Sequence, residues 1–278
     1  MNTKELDAKY IAGTYARFPV VLKEGKGSLV WDESGKEYID MGSGIAVNAL
    51  GIADPAWAAA VSEQLGKLQH CSNLYFSEPC ARLAEVLCER TGLKKVFFGN
   101  SGAEANEGAI KAARKYSFDK YGKGRHTIVT LVNSFHGRTL TTLSATGQDV
   151  FHQYFFPFTE GFSFAKAGDL DSLKDKLDGS VCAVLLECVQ GEGGVVALDK
   201  AYVQAVQALC RERDVLLLVD EVQTGVGRTG KLFAFQHYGI LPDVCSFAKG
   251  IAGGLPMSGI MANAKCRDVL GPGMHATT

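Results

Sequence analysis

Residues 181–220 read VCAVLLECVQGEGGVVALDKAYVQAVQALCRERDVLLLVD, and this stretch predicts the fold. It begins with the apolar run 181–186 and ends with the apolar run 215–219, and neither run alternates with polar residues. Short runs of this kind are typical of strands that are buried on both faces of a sheet. The helical pattern of 201–214 lies between them, so we expect two parallel strands joined by a right-handed crossover.

The same alternation of strand and helix extends over most of the chain. Further strands are predicted over 95–98, 127–132 and 244–247, and the last of these is expected to end the sheet. Further helices are predicted over 78–90, with Ser77 as N-cap and Gly92 as stop, from Ser101 with Glu104 at capping-box spacing, and over 169–179 with Gly179 as stop. The pattern indicates an α/β doubly wound fold of three layers, a mostly parallel sheet with helices on both faces.

Composition sets the broad class of protein. The 278 residues are 46% hydrophobic and 21% charged, which suits one large or two modest domains. A net charge of −1 gives no electrostatic reason to expect nucleic acid or a membrane surface as partner. The first residues lack the apolar core of a signal peptide, and no apolar run is long enough to span a bilayer, so we expect a cytoplasmic protein. The eight cysteines form no CxxC pair and are expected to be reduced core residues.

Unusual polar residues follow the predicted strands. In open α/β sheets the carboxyl ends of the strands form the binding crevice, so residues that follow different strands are expected to face one site. The residues in question are Asn100 and Ser101, His136 and Arg138, Glu187 and Glu192, Asp220 and Gln223, and Lys249.

Lys249 is the most informative of these residues. It follows an apolar strand, so its amine is expected to be partly desolvated, which lowers the pKa of a lysine and makes it a Schiff-base nucleophile. Pyridoxal phosphate needs such a lysine, an acid beside its ring nitrogen and an anion site for its phosphate. Asp220 supplies the acid, and the helix start at Gly102 and Ala103 supplies the anion site.

Each feature alone has other interpretations. The start at Gly102 can be an ordinary capped helix, and Asp220 with Glu221 can be the acid pair of a nucleotide hydrolase. A hydrolase of that kind requires a GxxxxGK[ST] phosphate loop, which the sequence lacks. Residues 225–230 fit GxGxxG without joining a strand to a helix, so they are a weak dinucleotide signal. His136 has no Cys or His at ligand spacing, and no metal is expected.

Together the motifs carry a family resemblance. The sequence resembles the class III (ornithine-type) pyridoxal-phosphate aminotransferases from about residue 17 to its last residue. The resemblance rests on FFGNSGAEANEGAIKAARKY, SFHGRTL, LLECVQGEGGV, LLLVDEVQTGVGRTG and SFAKGIAGGLPMSG, which occur in this order. SGIAVNALG (43–51) and HCSNLYFSEP (70–79) are most similar to the acetylornithine branch of arginine biosynthesis. The resemblance implies the large-domain fold of fold type I pyridoxal-phosphate enzymes.

The resemblance also implies a role for individual residues toward the cofactor. Lys249 would hold pyridoxal 5′-phosphate covalently and would shuttle the proton between the substrate carbon and the cofactor. Asp220 would pair with the ring nitrogen, and Gln223 would hydrogen-bond the ring hydroxyl. The remaining implied contacts are Phe135 on the ring face and Gly102 and Ala103 at the phosphate.

Substrate residues are implied in the same way. Arg138 is similar to the residue that receives the α-carboxylate of the amino donor, and its planar guanidinium suits that task. Glu192 resembles an acid that alternately pairs with and releases a substrate-binding arginine, so that one site accepts both the donor and 2-oxoglutarate. Tyr15 would border the pocket. Thr277 and Thr278 would reach across a homodimer to the partner's substrate and cofactor phosphate.

The implied organisation has an N-terminal segment over 1–50 and a large pyridoxal-phosphate domain over 51–278. Family members are longer, so we expect a C-terminal small domain to be absent here, together with the arginine opposite Glu192. The expected reaction converts N-acetylornithine and 2-oxoglutarate to N-acetylglutamate semialdehyde and glutamate. Ornithine, succinylornithine and 4-aminobutyrate remain alternative donors. A protein that binds the cofactor without catalysing transfer is a further alternative.

Overall fold

The computed structural model describes residues 1–277 and contains two compact units, Met1–Cys71 and Ser72–Thr278. In the first unit a three-stranded antiparallel sheet has the order β1-β2-β3. Its elements are α1 (Thr3–Tyr10), β1 (Leu22–Lys26), β2 (Leu29–Asp32), β3 (Glu37–Ile39), α2 (Ser43–Ala46) and α3 (Pro55–Leu65). The units divide after Cys71, and the sequence-based division after residue 50 stays a prediction.

The second unit alternates strands with helices along the chain. Two short 3-10 helices, Asp149–Phe151 and Lys249–Ala252, accompany the longer elements. Those elements are α4 (Glu78–Thr91), β4 (Lys95–Gly99), α5 (Gly102–Tyr121), β5 (Thr127–Leu131), α6 (Leu140–Ala145), β6 (Phe162–Ala165), α7 (Leu170–Lys176), β7 (Val181–Leu186), β8 (Val189–Gln190), β9 (Val196–Ala197), α8 (Lys200–Glu212), β10 (Leu216–Asp220), α9 (Phe235–Tyr238), β11 (Val244–Phe247) and β12 (Ser258–Ala262).

The central sheet of this unit has seven strands in the order β4-β12-β11-β10-β7-β5-β6. The strands from β11 to β6 pair in parallel, whereas β12 runs antiparallel to both β11 and β4. The prediction of a mostly parallel sheet is therefore confirmed. The expectation that 244–247 is the last strand is wrong, because β12 follows it, and β6 was also missed.

Side chains of the central strands alternate between two cores, one on each face of the sheet. On one face Leu216 and Leu218 pack with Ala109 of α5 in one apolar cluster. On the other face Leu217 and Val219 join a second cluster with residues of α8. Because each fully buried leucine contributes roughly 1.5–3 kcal/mol relative to exposure, both helical layers are held firmly to the sheet. This confirms the predicted three layers.

The helix ends differ in detail from their sequence signals. Ser77 precedes α4, but its side chain makes no capping hydrogen bond, while Gly92 ends the helix in the left-handed conformation with φ 81°. Ser101 caps α5 by accepting the N–H of Glu104 at 3.2 Å. The reciprocal half of the capping box is not formed, because the Glu104 carboxylate accepts the N–H of Asn100 instead. Helix α7 ends at Lys176, before the predicted stop at Gly179.

Cysteines and apolar helices complete the description of the fold. Five of the cysteines are buried as expected, namely Cys182, Cys188, Cys210, Cys245 and Cys266, whereas Cys80 is exposed on α4. Within residues 1–277, none of the helices has the length and apolar character that a membrane crossing requires.

Candidate active site

Loops that follow different strands meet at the carboxyl edge of the parallel strands. Gly191, after β7, lies so close to the Gln223 side chain, after β10, that no Cβ would fit between them. A Cβ built on Gly137, after β5, would lie 3.0 Å from the Cβ of Ala103 on α5. The sequence-based expectation of one shared crevice agrees with these contacts.

Lys249 lies directly after β11 at the start of a 3-10 helix, with φ 49°. Its side chain is half-buried, and burial lowers the pKa of its amine below the ordinary value of 10.5. The negative charges of Asp220, Glu192 and Glu187 act on the amine in the opposite direction and offset part of this effect. The lysine is therefore a desolvated amine within the field of three carboxylates, which suits a nucleophile that must lose its proton.

Asp220 is the last residue of β10, and its carboxylate is buried. Its Oδ2 atom accepts hydrogen bonds from Asn106 Nδ2 at 2.7 Å and from His136 Nδ1 at 2.8 Å. Its Oδ1 atom accepts the backbone N–H of Val222 at 2.9 Å. Three donors thus stabilise a buried negative charge, which would otherwise be costly.

The start of α5 has the features of an anion site. The first N–H groups of a helix have no partner within the helix, and the helix dipole is positive there. Gly102 packs so closely that an added Cβ would lie 2.7 Å from Val222 Cγ1, so only glycine lets these two loops meet. Since Val222 lies between Asp220 and Gln223, this contact holds the helix start beside the β10 loop.

Two buried glutamates tie the loops together. Glu187, after β7, accepts the backbone N–H of Phe135 at 3.0 Å, which links the loops after β7 and β5. Burial raises the pKa of Glu187 to about 7, and the Asp220 charge adds to this effect, while His136 acts against it. Glu221 accepts the backbone N–H groups of Ala234 at 2.9 Å and Phe235 at 2.7 Å. Glu187 therefore joins two of the loops at the site, and Glu221 joins the loop after β10 to the start of α9.

Arg138 is held by two aromatic rings. Its guanidinium carbon lies 4.0 Å from the ring centroid of Phe151 and 5.4 Å from that of Phe135. The two rings also meet edge to face, with their centroids 5.9 Å apart. The guanidinium itself is exposed, so its donors stay available to an anion.

The remaining predicted site residues are placed as follows. Gln223 follows Asp220 in the β10 loop, and the charge of Glu192 acts on Lys249. Thr277 accepts a hydrogen bond from Asn100 of the same chain at 2.9 Å, whereas Thr278 lies outside the described residues. Tyr15 is exposed in the first unit, with Arg17 over its ring at 5.8 Å. Its relation to the site stays a prediction.

Sequence reasoning missed three residues that contact the site. Asn106 is a polar residue on the buried, small-residue face of α5, and Ser246 is a polar residue inside the apolar strand β11. Both anomalies were visible in the sequence as polar side chains at core positions. Phe151 gave no such signal, because it lies in a short 3-10 helix that no strand or helix pattern in the sequence relates to Arg138.

The residues of the crevice fit pyridoxal phosphate. Lys249 offers a desolvated amine, Asp220 a buried carboxylate, and Gly102 a helix start that packs closely on Val222 of the β10 loop. Residues 1–277 contain no group of three or more His, Cys, Asp or Glu side chains that could hold a metal ion. The arrangement is that of a pyridoxal-phosphate enzyme built on a mostly parallel sheet.

The comparisons with known proteins agree with this class. The family described as aminotransferase class-III matches residues 10–278, and the chain belongs to this family of pyridoxal-phosphate enzymes. The chain is 58% identical over 276 residues to an acetylornithine aminotransferase of Haemophilus ducreyi, covering 99% of this chain and 70% of that protein. It is 47% identical to a succinylornithine transaminase of Citrobacter koseri, covering 99% and 68%.

Solved structures give the same result. The ornithine aminotransferase of Toxoplasma gondii ME49 superposes with a TM-score of 0.95 at 35% identity, covering 100% of this chain and 68% of that one. The N-acetylornithine aminotransferase of Stenotrophomonas maltophilia superposes with a TM-score of 0.82 at 37% identity, covering 98% and 68%. The chain is thus a transaminase in family and fold, and members of this family act on amino acid and keto acid substrates.

Proposed function

We propose that this protein transfers the δ-amino group of N-acetylornithine to 2-oxoglutarate, giving N-acetylglutamate semialdehyde and glutamate in arginine biosynthesis. The observation that carries the proposal is that Asp220 ends β10 opposite Ser246 of the neighbouring strand β11, which Lys249 follows, so that carboxylate and amine belong to one sheet edge. The choice of donor is supported by the 58% identity to the acetylornithine aminotransferase of Haemophilus ducreyi.

Lys249 is assigned the proton-transfer role. When bound, pyridoxal phosphate supplies an aldehyde for amine exchange and a ring that accepts the electrons released at the substrate carbon. The depressed pKa of Lys249 means that a larger fraction of the amine is unprotonated near neutral pH, so it can take a proton from the substrate carbon and return it.

Other residues of the crevice are assigned to the cofactor. Asp220 holds the ring nitrogen in its protonated form, since a buried carboxylate favours a nearby positive charge. Gln223 bonds the ring hydroxyl, and Phe135 packs on the ring face. The N–H groups at Gly102 and Ala103 bind the phosphate, as expected of a helix N-terminus.

Substrate recognition is assigned to residues around Arg138. Its guanidinium is exposed at the crevice and offers paired donors for the α-carboxylate of the donor. Glu192 is the acid that pairs with a substrate-binding arginine and releases it, so that donor and 2-oxoglutarate use one site in turn. Tyr15 borders the pocket, and Thr277 and Thr278 serve the site of a partner subunit.

The remaining assignments concern the assembly. We infer a homodimer with its active sites at the interface, located in the cytoplasm, with 51–278 as the pyridoxal-phosphate domain. Exposed aromatic residues of the second unit, such as Phe76 and Phe156, are consistent with a covered surface.

Succinylornithine is the second candidate donor, because the chain is also 47% identical to the succinylornithine transaminase of Citrobacter koseri. N-acetylornithine and succinylornithine share the α-carboxylate and the reacting amino group and differ only in the acyl group, so relatives with different donors can share every motif that acts on the cofactor. Ornithine and 4-aminobutyrate belong in the same comparison.

A donor panel tests the proposal. The purified protein is loaded with pyridoxal phosphate and mixed with each donor, and the loss of its visible absorbance and the formation of glutamate from 2-oxoglutarate are both followed. We expect the highest kcat/KM for N-acetylornithine, and a Lys249→Ala variant should give no turnover. A clear preference for free ornithine would defeat the donor assignment. Bound cofactor without glutamate from any donor would instead support a binding protein that does not catalyse transfer.

A further inference from the structure

Asn106, His136 and Ser246 form a buried hydrogen-bonded cluster around Asp220. All four residues are at least 96% buried. Each comes from a different part of the fold: Asn106 from α5, His136 from the loop after β5, Ser246 from β11 and Asp220 from the end of β10. Ser246 is the register partner of Asp220 across the parallel β10–β11 ladder, which places its hydroxyl beside the carboxylate. We call these four residues the aspartate cluster.

The orientation of the Asn106 amide is fixed by its partners. Its Oδ1 atom accepts the Ser246 hydroxyl at 2.6 Å, so the other end of the amide must be the NH₂ group. That NH₂ group donates one hydrogen to Asp220 Oδ2 and one to the backbone oxygen of His136, both at 2.7 Å. A flipped amide would set oxygen against oxygen at both contacts, so only one orientation is compatible with the cluster.

The lone pairs of Asp220 can then be counted. Oδ2 accepts both Asn106 and His136, which uses its two lone pairs and leaves no room for a proton on that oxygen. Oδ1 accepts the N–H of Val222 at 2.9 Å. The Ser246 hydroxyl lies 3.5 Å from Oδ1, too far for a strong O–H···O bond, and its hydrogen is already given to Asn106. One lone pair of Oδ1 therefore remains.

His136 fits the same count. Because Oδ2 is the acceptor, Nδ1 of His136 must carry the hydrogen of their contact. Its Nε2 atom is buried and has no hydrogen-bond partner among residues 1–277. The contact with Asp220 therefore fixes a hydrogen on Nδ1 of His136 and directs it at Oδ2 of Asp220.

We propose that Asn106 is a positioning residue that, fixed by Ser246, holds the Asp220 carboxylate through its Oδ2 atom and leaves its Oδ1 atom free to accept the N–H of the cofactor ring nitrogen. This inference rests on the proposed function, since it takes pyridoxal phosphate as the ligand of Asp220. It assigns a task to two residues, Asn106 and Ser246, that touch neither the substrate nor the reacting atoms.

The test reads the ring nitrogen directly. The protein is loaded with pyridoxal phosphate carrying ¹⁵N in the ring, and the ¹⁵N chemical shift, which differs widely between protonated and unprotonated ring nitrogen, is followed as the pH is raised. In the parent protein the ring nitrogen is expected to stay protonated through the neutral range. In Asn106→Leu the ¹⁵N shift is expected to move toward the unprotonated value, because a carboxylate that has lost a donor competes more strongly for the proton that it shares with the ring nitrogen.

Matched variants separate positioning from general damage. Asn263 donates to Asp243 Oδ1 at 2.8 Å in a similar pair elsewhere in the chain, so Asn263→Leu should leave the ¹⁵N signal unchanged. Ser246→Ala removes the hydrogen bond to Asn106 Oδ1 but leaves both donors of the Asn106 amide in place, and should give an intermediate effect. Asn106→Ser, whose shorter side chain replaces the amide with a hydroxyl, serves if the leucine variant does not fold. The rate of the first half-reaction should fall by about 10- to 100-fold in Asn106→Leu, as for the loss of a hydrogen bond to a charged group.

The outcomes are distinguishable. If the labelled cofactor does not bind the parent protein, the proposed function is wrong and this inference is wrong with it. If the parent protein holds a protonated ring and the folded Asn106 and Ser246 variants show the same ¹⁵N signal over the same pH range, the proposed function stands and the positioning role is refuted.

Discussion

Raising the pH from about 5 to about 8 is expected to destabilise the folded protein, because two buried glutamates must then ionise. Glu221 is fully buried, and burial raises the pKa of its carboxyl to about 7. Hydrogen bonds from Thr224, Ala234 and Phe235 favour the ionised form but offset the burial only in part. Burial likewise raises the pKa of Glu187 to about 7.

The magnitude follows from the difference between the folded and unfolded chains. An unfolded glutamate titrates near the ordinary value of 4.5, so between that value and about 7 the folded chain binds one more proton at each of these glutamates. The free energy of unfolding therefore falls as the pH rises through this range. The stabilisation that the two glutamates give is largest at pH values below this range, where both are protonated. A tenfold change in acidity constant corresponds to about 1.4 kcal/mol, so Glu221 accounts for about 3 kcal/mol, and Glu187 contributes in the same direction.

Urea unfolding followed by circular dichroism at a series of pH values measures this dependence. Glu221→Gln removes one titrating group and should abolish about half of the fall in stability. Glu212 has an exposed side chain, so Glu212→Gln should leave the pH dependence unaltered. The reasoning is refuted if Glu221→Gln unfolds with the same pH dependence as the parent protein, since burial would then not control this carboxyl.

Two further predictions concern the site. Phe151→Leu removes the ring that lies 4.0 Å from the Arg138 guanidinium and should raise KM about two- to fivefold for donors with an α-carboxylate, but not for a simple primary amine. Steady-state kinetics measures these KM values, and Phe155→Leu, which removes an exposed aromatic ring, serves as the control. An equal rise in KM for the simple amine would argue against carboxylate recognition by Arg138. Gly102→Ala should weaken cofactor binding about tenfold or more, because its Cβ would lie 2.7 Å from Val222 Cγ1. Cofactor titration should show that the affinity recovers when Gly102→Ala is combined with Val222→Ala. Normal cofactor affinity in Gly102→Ala alone would contradict the importance of this close packing.

The strands that the sequence predicted are those with uninterrupted apolar runs. Strands β7, β10 and β11 are buried along their whole length, so every position favoured an apolar residue and the pattern was clear. Strand β12 was missed because Ser258 and Gly259 interrupt the run. Its glycine is needed for packing, since a Cβ on Gly259 would lie 2.6 Å from Phe247 Cζ. That requirement comes from a neighbouring strand and leaves no local signal.

The candidate site shows the same limit. Lys249 and Asp220 were predictable because each follows an apolar strand, and the carboxyl ends of parallel strands meet. Asn106 and Ser246 were not assigned, because their role depends on which helix packs behind which strand, and no local pattern states that pairing. Phe151 lies outside every regular pattern near Arg138, and only the folded chain brings the two together.

The central claim is that Lys249 holds pyridoxal phosphate, and borohydride reduction tests it most directly. The protein is loaded with the cofactor, reduced, digested, and the modified peptide is located by mass. Lys265 is a suitable control because it is also half-buried. Burial lowers the pKa of its amine, but the bond to Asp214 and the nearby negative charges together raise it above the ordinary value. We predict that the label lies on Lys249, is lost in Lys249→Ala and persists in Lys265→Ala. A label that persists on another lysine in Lys249→Ala, or no label in the parent protein, would contradict the account.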